Sequence, residues 1–238
     1  MPDEGKTGKG WGTNKAADRI RLASRLWDHV AARENPHWQY RHLCDSAAFP
    51  LEVVHGPLGR PHLLLGGVRG PSISFSEGDG ETWAALSGEA SDIGIDVAAA
   101  DQFQGKYPLH RVFHDQELHH ALGLTGGNMA QASALLWSIK EAVVKALGCG
   151  FHLVAPLQVQ VSAPVEEDHG YAFPVCLSGK ALARYPLAAG GAIRVRSFPQ
   201  GTMWLAIALS SWQSRYGKDG DFRSTLYQGS MSIHDQRS

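Results

Sequence analysis

Along the chain, apolar positions first recur at helical spacing in residues 16–34. Ile20, Leu22, Leu26, Trp27 and Val30 keep that period, with Arg19, Arg21, Arg25 and Arg33 between them. Pro36 sets the limit of the predicted helix. The period then shortens. Residues 51–54 and 63–65 read as short strands on either side of the turn chemistry His55-Gly-Pro57-Leu58-Gly59-Arg60-Pro61. Residues 72–76 alternate at period two, residues 77–80 read as a turn, and residues 82–87 read as the return strand of a hairpin. Residues 92–97 read as a third strand, so an antiparallel sheet is predicted here rather than alternating βαβ units. Helical patterning resumes over residues 106–112, 114–122 and 130–147, with a break at Gly126-Gly127. Strand patterning follows at residues 157–161, 172–177, 192–197 and 203–209, while residues 178–184 are too short to assign.

The order is thus a helix-then-sheet block followed by another, an α+β pattern. The expected boundaries are a mobile arm over 1–15, an N-terminal half over 16–90, a C-terminal half over 91–212 and a polar tail over 213–238. A length of 238 residues suits one large domain or two fused halves of about 100 each.

Charge narrows the partners. The net charge is −1, from 22 basic and 23 acidic residues, so no bulk attraction to nucleic acid or anionic lipid is expected. The cysteines are Cys44, Cys149 and Cys176, with no CxxC pair, which argues against a disulfide framework or a zinc knuckle. The N-terminus has no apolar signal region, and no run is long enough for a membrane span. A cytoplasmic protein with reduced thiols is the expectation.

Candidate chemistry lies in two places. In the helix over 130–147, Leu135, Leu136, Ile139, Val143, Ala146 and Leu147 gather on one side. Glu141 and Lys145 lie on another, one turn apart, and Gly148 and Gly150 end the helix. Alone, such a pair is ordinary helix decoration. Upstream, Asp96 stands on a strand between Ile95 and Val97. There a charge is costly unless it is paired, bound to a metal or in water at an edge. If Ile95 and Val97 face a core, Asp96 faces the other way.

The combination is more specific than its parts. Gly94-Ile95-Asp96-Val97, the Phe113-x-x-x-Glu117 segment and Trp137-Ser-Ile-Lys140-Glu141-Ala-Val-Val-Lys145 together resemble the 4′-phosphopantetheinyl transferase superfamily. Gly59-Arg60-Pro61 looks like that family's Gly-Lys-Pro turn, and Ser72-Ile-Ser74-Phe75-Ser76 like its Asn-Ile-Ser-His-Ser strand. The length is similar to that of the larger, surfactin-type members, pseudo-dimers of two similar α+β halves, for which a monomer suffices.

The resemblance implies transfer of the 4′-phosphopantetheine arm of coenzyme A to a serine of an acyl, peptidyl or polyketide carrier protein. It implies Mg²⁺, with Mn²⁺ an alternative, held by Asp96 and Glu141. Glu141 would also serve as base, and Lys145 would meet a phosphate. The coenzyme A contacts implied are Arg60, Ser74, Ser76, Lys140 and Lys145, although the helix angle of Lys140 points away from Glu141. Leu118, Leu122 and Leu124 are candidates to receive a carrier helix, or else core.

Two positions depart from the pattern. Ala98 stands where the family often has a third acid, which predicts weaker metal binding or an altered preference between Mg²⁺ and Mn²⁺. Phe75 stands where the family usually has a phosphate-contacting His, so Arg60 or Arg69 is expected to compensate. These departures keep open a non-catalytic homologue that binds coenzyme A or a carrier. His55, His62, His119 and His120 fit no zinc spacing.

Overall fold

A six-stranded antiparallel sheet carries the C-terminal half. β6 (Ser91–Ala99) is its edge, followed by β11 (Met203–Ser211), β10 (Ile193–Gln200), β9 (Gly170–Leu177) and β7 (Val159–Val161), with β8 (Val165–Glu167) paired to β9. The computed structural model describes residues 12–31, 50–87, 91–104, 108–188 and 192–211. Residues 1–11 of the expected arm, the expected tail, Pro36 and Cys44 lie outside those residues.

Period-two alternation gives β6 two chemically different faces. Ile93, Ile95 and Val97 join Leu205 and Ile207 of β11 in one apolar cluster. On the other face lies α3 (Met129–Ala146), an 18-residue helix most of whose residues are buried. Ala98 packs with Leu135, Leu136, Ile139 and Val143 of α3 in the main core. The side chain of Asn128 caps the helix by accepting the Gln131 N–H at 3.1 Å. Gly148, at φ +73°, supplies the left-handed turn after its last residues. α2 (Asp115–Leu124) precedes it.

Gly94 sets how closely α3 approaches β6. A Cβ at this position would stand 1.9 Å from the Ala142 carbonyl oxygen and 2.6 Å from the Ala146 nitrogen. The helix backbone therefore rests directly on the strand at Ala142 and Ala146, the residues that follow Glu141 and Lys145.

The N-terminal half is smaller in its described residues. α1 (Gly12–Ala31) packs with a three-stranded sheet, β1 (Leu51–His55), β2 (Pro61–Leu65) and β3 (Val68–Arg69), and with the hairpin β4 (Ile73–Gly78) and β5 (Glu81–Leu86). Leu22, Leu26, Leu63, Leu65, Ile73 and Phe75 form its core. Asp79 (φ 51°) and Gly80 (φ 76°) close the hairpin with two left-handed residues, which suits the strand twist. The other face of β5 sends Trp83 and Ala85 onto Ile93, Ile95 and Val97, joining the halves through a third cluster.

The structure corrects several expectations. α1 begins at Gly12, so residues 12–15 are helical rather than part of an arm. β4, β5 and β6 do not share one sheet: β6 pairs with β11, and β4 with β5. β4 instead meets β6 through side chains. The hydroxyls of Ser72, Ser74 and Ser76 accept the backbone N–H groups of Ile93 (3.2 Å), Ile95 (3.1 Å) and Val97 (3.1 Å). Buried amides need acceptors, and three serines supply them where a strand would have. In the segment expected to be helical over 106–112, the described part holds only a 3₁₀ turn, Leu109–Arg111. Residues Gly179–Arg184, left unassigned from the pattern, form the short helix α4.

Candidate active site

Asp96 emerges from β6 toward α3, and the helix turn above it presents Lys145. The Lys145 Nζ donates to Asp96 Oδ1 at 2.6 Å, to the Ile95 carbonyl at 3.1 Å and to the Phe75 carbonyl at 3.4 Å. Ser76 donates its hydroxyl to the same Asp96 Oδ1 at 2.9 Å. Burial pushes the Asp96 carboxyl above the ordinary range, against the pull of Lys145, Ser76 and the Val97 N–H. Burial also raises the Glu141 carboxyl, the negative charge of Asp96 raises it further, and Lys145 opposes both. Two carboxylates therefore share a site with one ammonium, and each makes the other's charge costly.

Above them opens a cavity of about 220 Å³ built from both halves. Glu141 and Lys145 line it from α3, Ser74 and Phe75 from β4, Arg60 from the β1–β2 turn and Arg19 from α1. Arg60 is ion-paired with Asp92 and lies 3.4 Å from Ser72 Oγ. Its guanidinium rests where a Cβ on Gly148 would be, 2.7 Å from Nη1, so the helix-ending glycine also makes room for it. Arg19 stands over the Phe75 ring at 5.7 Å from its centroid and pairs with Glu77 at 2.9 Å. Among the described residues its buried Nε has no hydrogen-bond partner.

Of the residues singled out from the sequence, Asp96, Glu141, Lys145, Arg60 and Ser74 come together at or beneath this cavity. Ser76 lies under it, on Asp96. Lys140 does not join them. It is fully buried, and its Nζ donates to Glu117 Oε1 (3.0 Å), the Pro156 carbonyl (3.0 Å) and the Val159 carbonyl (2.7 Å). Glu117 in turn accepts the N–H groups of Val161 and His114, each at 2.8 Å. Lys140 is thus a core ion-pair residue, about 100° around the helix from Glu141, and the expectation that it contacts the cofactor is corrected. Trp137 packs against Phe103 and Phe151. Leu118, Leu122 and Leu124 are partly buried against the main core rather than set apart as a docking face.

Arg69 does not line the cavity; Arg19, unassigned from the sequence, does. Its helix pattern marked it only as polar, and nothing in sequence spacing ties it to Phe75. Ala98 is 1% exposed within the core and offers no ligand. Among the described residues no cluster of three or more His, Cys, Asp or Glu is placed to hold a metal. Two carboxylates still fit a hard divalent ion, because Mg²⁺ needs only one or two and fills its shell with waters and phosphate oxygens. The proton-retaining pair, Asp96 with Glu141, is the donor set such an ion relieves.

Residues 92–188 match the family model described as ACPS, the 4′-phosphopantetheinyl transferase superfamily. Solved structures similar to the chain include the ACPS–CoA complex of Chronobacterium ammoniagenes, at 21% identity and TM-score 0.41, covering 52% of this chain and 99% of that one. Holo-ACP-synthase from Plasmodium yoelii is 16% identical with TM-score 0.39, covering 51% and 97%. Helicobacter pylori holo-[acyl-carrier-protein] synthase in complex with coenzyme A is 17% identical with TM-score 0.40, covering 50% and 99%. No curated protein matches the chain.

Proposed function

We propose that this chain, whose residues 92–188 match the 4′-phosphopantetheinyl transferase superfamily model, transfers the 4′-phosphopantetheine arm of coenzyme A to a serine of a carrier protein. The carrier's serine oxygen forms a bond to the pantetheine phosphorus. The bond from that phosphorus to the bridging oxygen breaks, and adenosine 3′,5′-bisphosphate leaves with the electron pair. The observation that carries this reading is the stacking of the two layers. A cavity lined by Arg19 and Arg60 opens directly onto Glu141, Lys145 and the Asp96 beneath them.

Each residue then has a task. Arg19 and Arg60 hold phosphate oxygens of coenzyme A by charge-assisted hydrogen bonds. Glu141, whose carboxyl binds protons more tightly than usual, is suited to take the serine proton. Lys145 holds Asp96 in place and puts positive charge beside the cavity. Asp96 and Glu141 would hold Mg²⁺ or Mn²⁺, which when bound supplies positive charge to the pyrophosphate oxygens as the bridging bond breaks. Ser74 completes the wall.

Both halves of one chain line the cavity, which supports a monomer. Among the described residues no helix is long and apolar enough to cross a membrane. The cytoplasmic location belongs to this reading, as do acyl, peptidyl or polyketide carriers as partners.

The burial of Ala98 and the apolar Phe75 favour one second reading, a homologue that binds coenzyme A without turning it over. Incubation with coenzyme A, Mg²⁺ and a panel of apo-carriers, followed by intact-mass measurement, separates the two. A carrier that gains one phosphopantetheine supports the transferase. Coenzyme A binding with no mass gain on any carrier supports the second reading.

A further inference from the structure

We propose that Ser76 is a positioning residue for the metal-binding carboxylate, acting only through Asp96. The proposal rests on the reading that Asp96 holds the divalent ion.

The three serines of the β4 segment share one task, since each hydroxyl accepts an N–H of β6. Only Ser76 also donates to a carboxylate, at 2.9 Å to Asp96 Oδ1. Its orientation is fixed by that double duty. The Val97 N–H occupies its acceptor side at 3.1 Å, so its one proton is committed to Asp96.

The Asp96 carboxylate would otherwise turn readily, because its terminal torsion is broad. Lys145 alone is a poor brake, being a point charge on a flexible stem. Ser76 and Lys145 reach Oδ1 from different elements, β4 and α3, at 2.9 and 2.6 Å. Two donors converging on one oxygen from two directions fix the plane of the group. No other side chain among the described residues donates to Oδ2, so that oxygen is the one presented to a cation. Ser76 and Asp96 are each 7% exposed, so water does not compete for the bond. The effect is large here because Ala98 provides no third acid to share the ion.

Partners that orient a metal ligand typically change affinity by about 10–100-fold when removed. The test is a titration of Mn²⁺ into the full chain followed by electron paramagnetic resonance, with melting temperature measured on each variant. Ser76→Ala, and Ser76→Cys if the alanine variant does not fold, should raise the Mn²⁺ dissociation constant about 10-fold or more. Ser76→Thr, which keeps the hydroxyl, should bind within about twofold of the parent chain. Ser74→Ala removes the equivalent hook on β6 without touching Asp96, so it should lower the melting temperature and leave Mn²⁺ affinity unchanged. Unchanged affinity in Ser76→Ala, or in Ser76→Cys where the alanine variant does not fold, overturns the proposal. Equal weakening in Ser74→Ala overturns it too, because general slack in β6 would then suffice. If Asp96→Asn binds Mn²⁺ as the parent does, the metal site itself is wrong and the proposal falls with it, an outcome the Ser76 variants alone do not produce.

Discussion

Asp96 and Glu141 each retain a proton more tightly in the folded chain than a carboxyl in water, burial being the first cause for both. Between its ordinary and its raised pKa such a group binds more protons folded than unfolded, so stability falls as pH rises through that window. A cation neutralising the pair removes this penalty above the window and has little to remove below it. The rise in melting temperature caused by Mn²⁺ should therefore grow as pH rises above the ordinary carboxyl range. Glu141→Gln should flatten that dependence and abolish transfer while the fold is kept. A Mn²⁺ effect that is constant with pH would remove the pair from metal binding.

The neighbouring residue in sequence behaves oppositely. Lys140→Met should leave Glu117 buried without its ammonium and cost about 3–5 kcal/mol, read by urea denaturation. The affinity of the folded fraction for coenzyme A should not change. Lys140 and Glu141 are adjacent in the same motif, so sequence alone offered both as site residues. Only the packing of α2 and β7 around α3 shows that one is core and the other cavity.

At the scale of elements, the contact that matters most is α3 on β6, and Gly94 is its limiting residue. Gly94→Ala places a methyl group where the Ala142 carbonyl lies, so the helix must lift. The expected loss is about 1–3 kcal/mol or more, seen in thermal and urea unfolding. Transfer activity should fall further than the stability loss accounts for, since lifting α3 separates Lys145 from Asp96. Full activity in Gly94→Ala would show that the close seat is not what aligns the site. α3 itself was legible because a long apolar period and glycines at its end point the same way. Pairing among β4, β5 and β6 was not. Alternation tells which face of a strand is buried, but not which strand lies beside it, and here β11, distant in sequence, takes the place beside β6. The family resemblance offered Ser74 and Ser76 as cofactor contacts, and nothing in the alternating pattern marked these hydroxyls as the link between β4 and β6.

Across the whole molecule, the site is divided between two halves with separate cores, joined by the Trp83–Ile95 cluster and the serine hooks. The segment that the family model matches, residues 92–188, contains the carboxylates and Lys145 but neither Arg19 nor Arg60. On the proposed function, recognition of the cofactor's phosphates would fall to the N-terminal half and the chemistry to the C-terminal half. In that reading Phe75 gives Arg19 its place. An aromatic ring cannot pair with an anion, but it supports a guanidinium laid across it, and Arg19 lies there at 5.7 Å. Glu77 holds one end of that guanidinium, and its Nε has no partner among the described residues. A hydrogen bond to a charged group contributes about 1.5–3 kcal/mol. Arg19→Ala should therefore weaken coenzyme A binding about 10–100-fold by calorimetry, while kcat at saturating coenzyme A falls little. Arg69→Ala, at a position the cavity does not reach, should change neither. The penalty in Arg19→Ala should shrink as salt is raised, because part of what is lost is charge attraction at a partly open site. If Arg69→Ala weakened binding while Arg19→Ala did not, the phosphate would lie on the β3 side of the turn, and the division of labour between the halves would have to be redrawn around that edge.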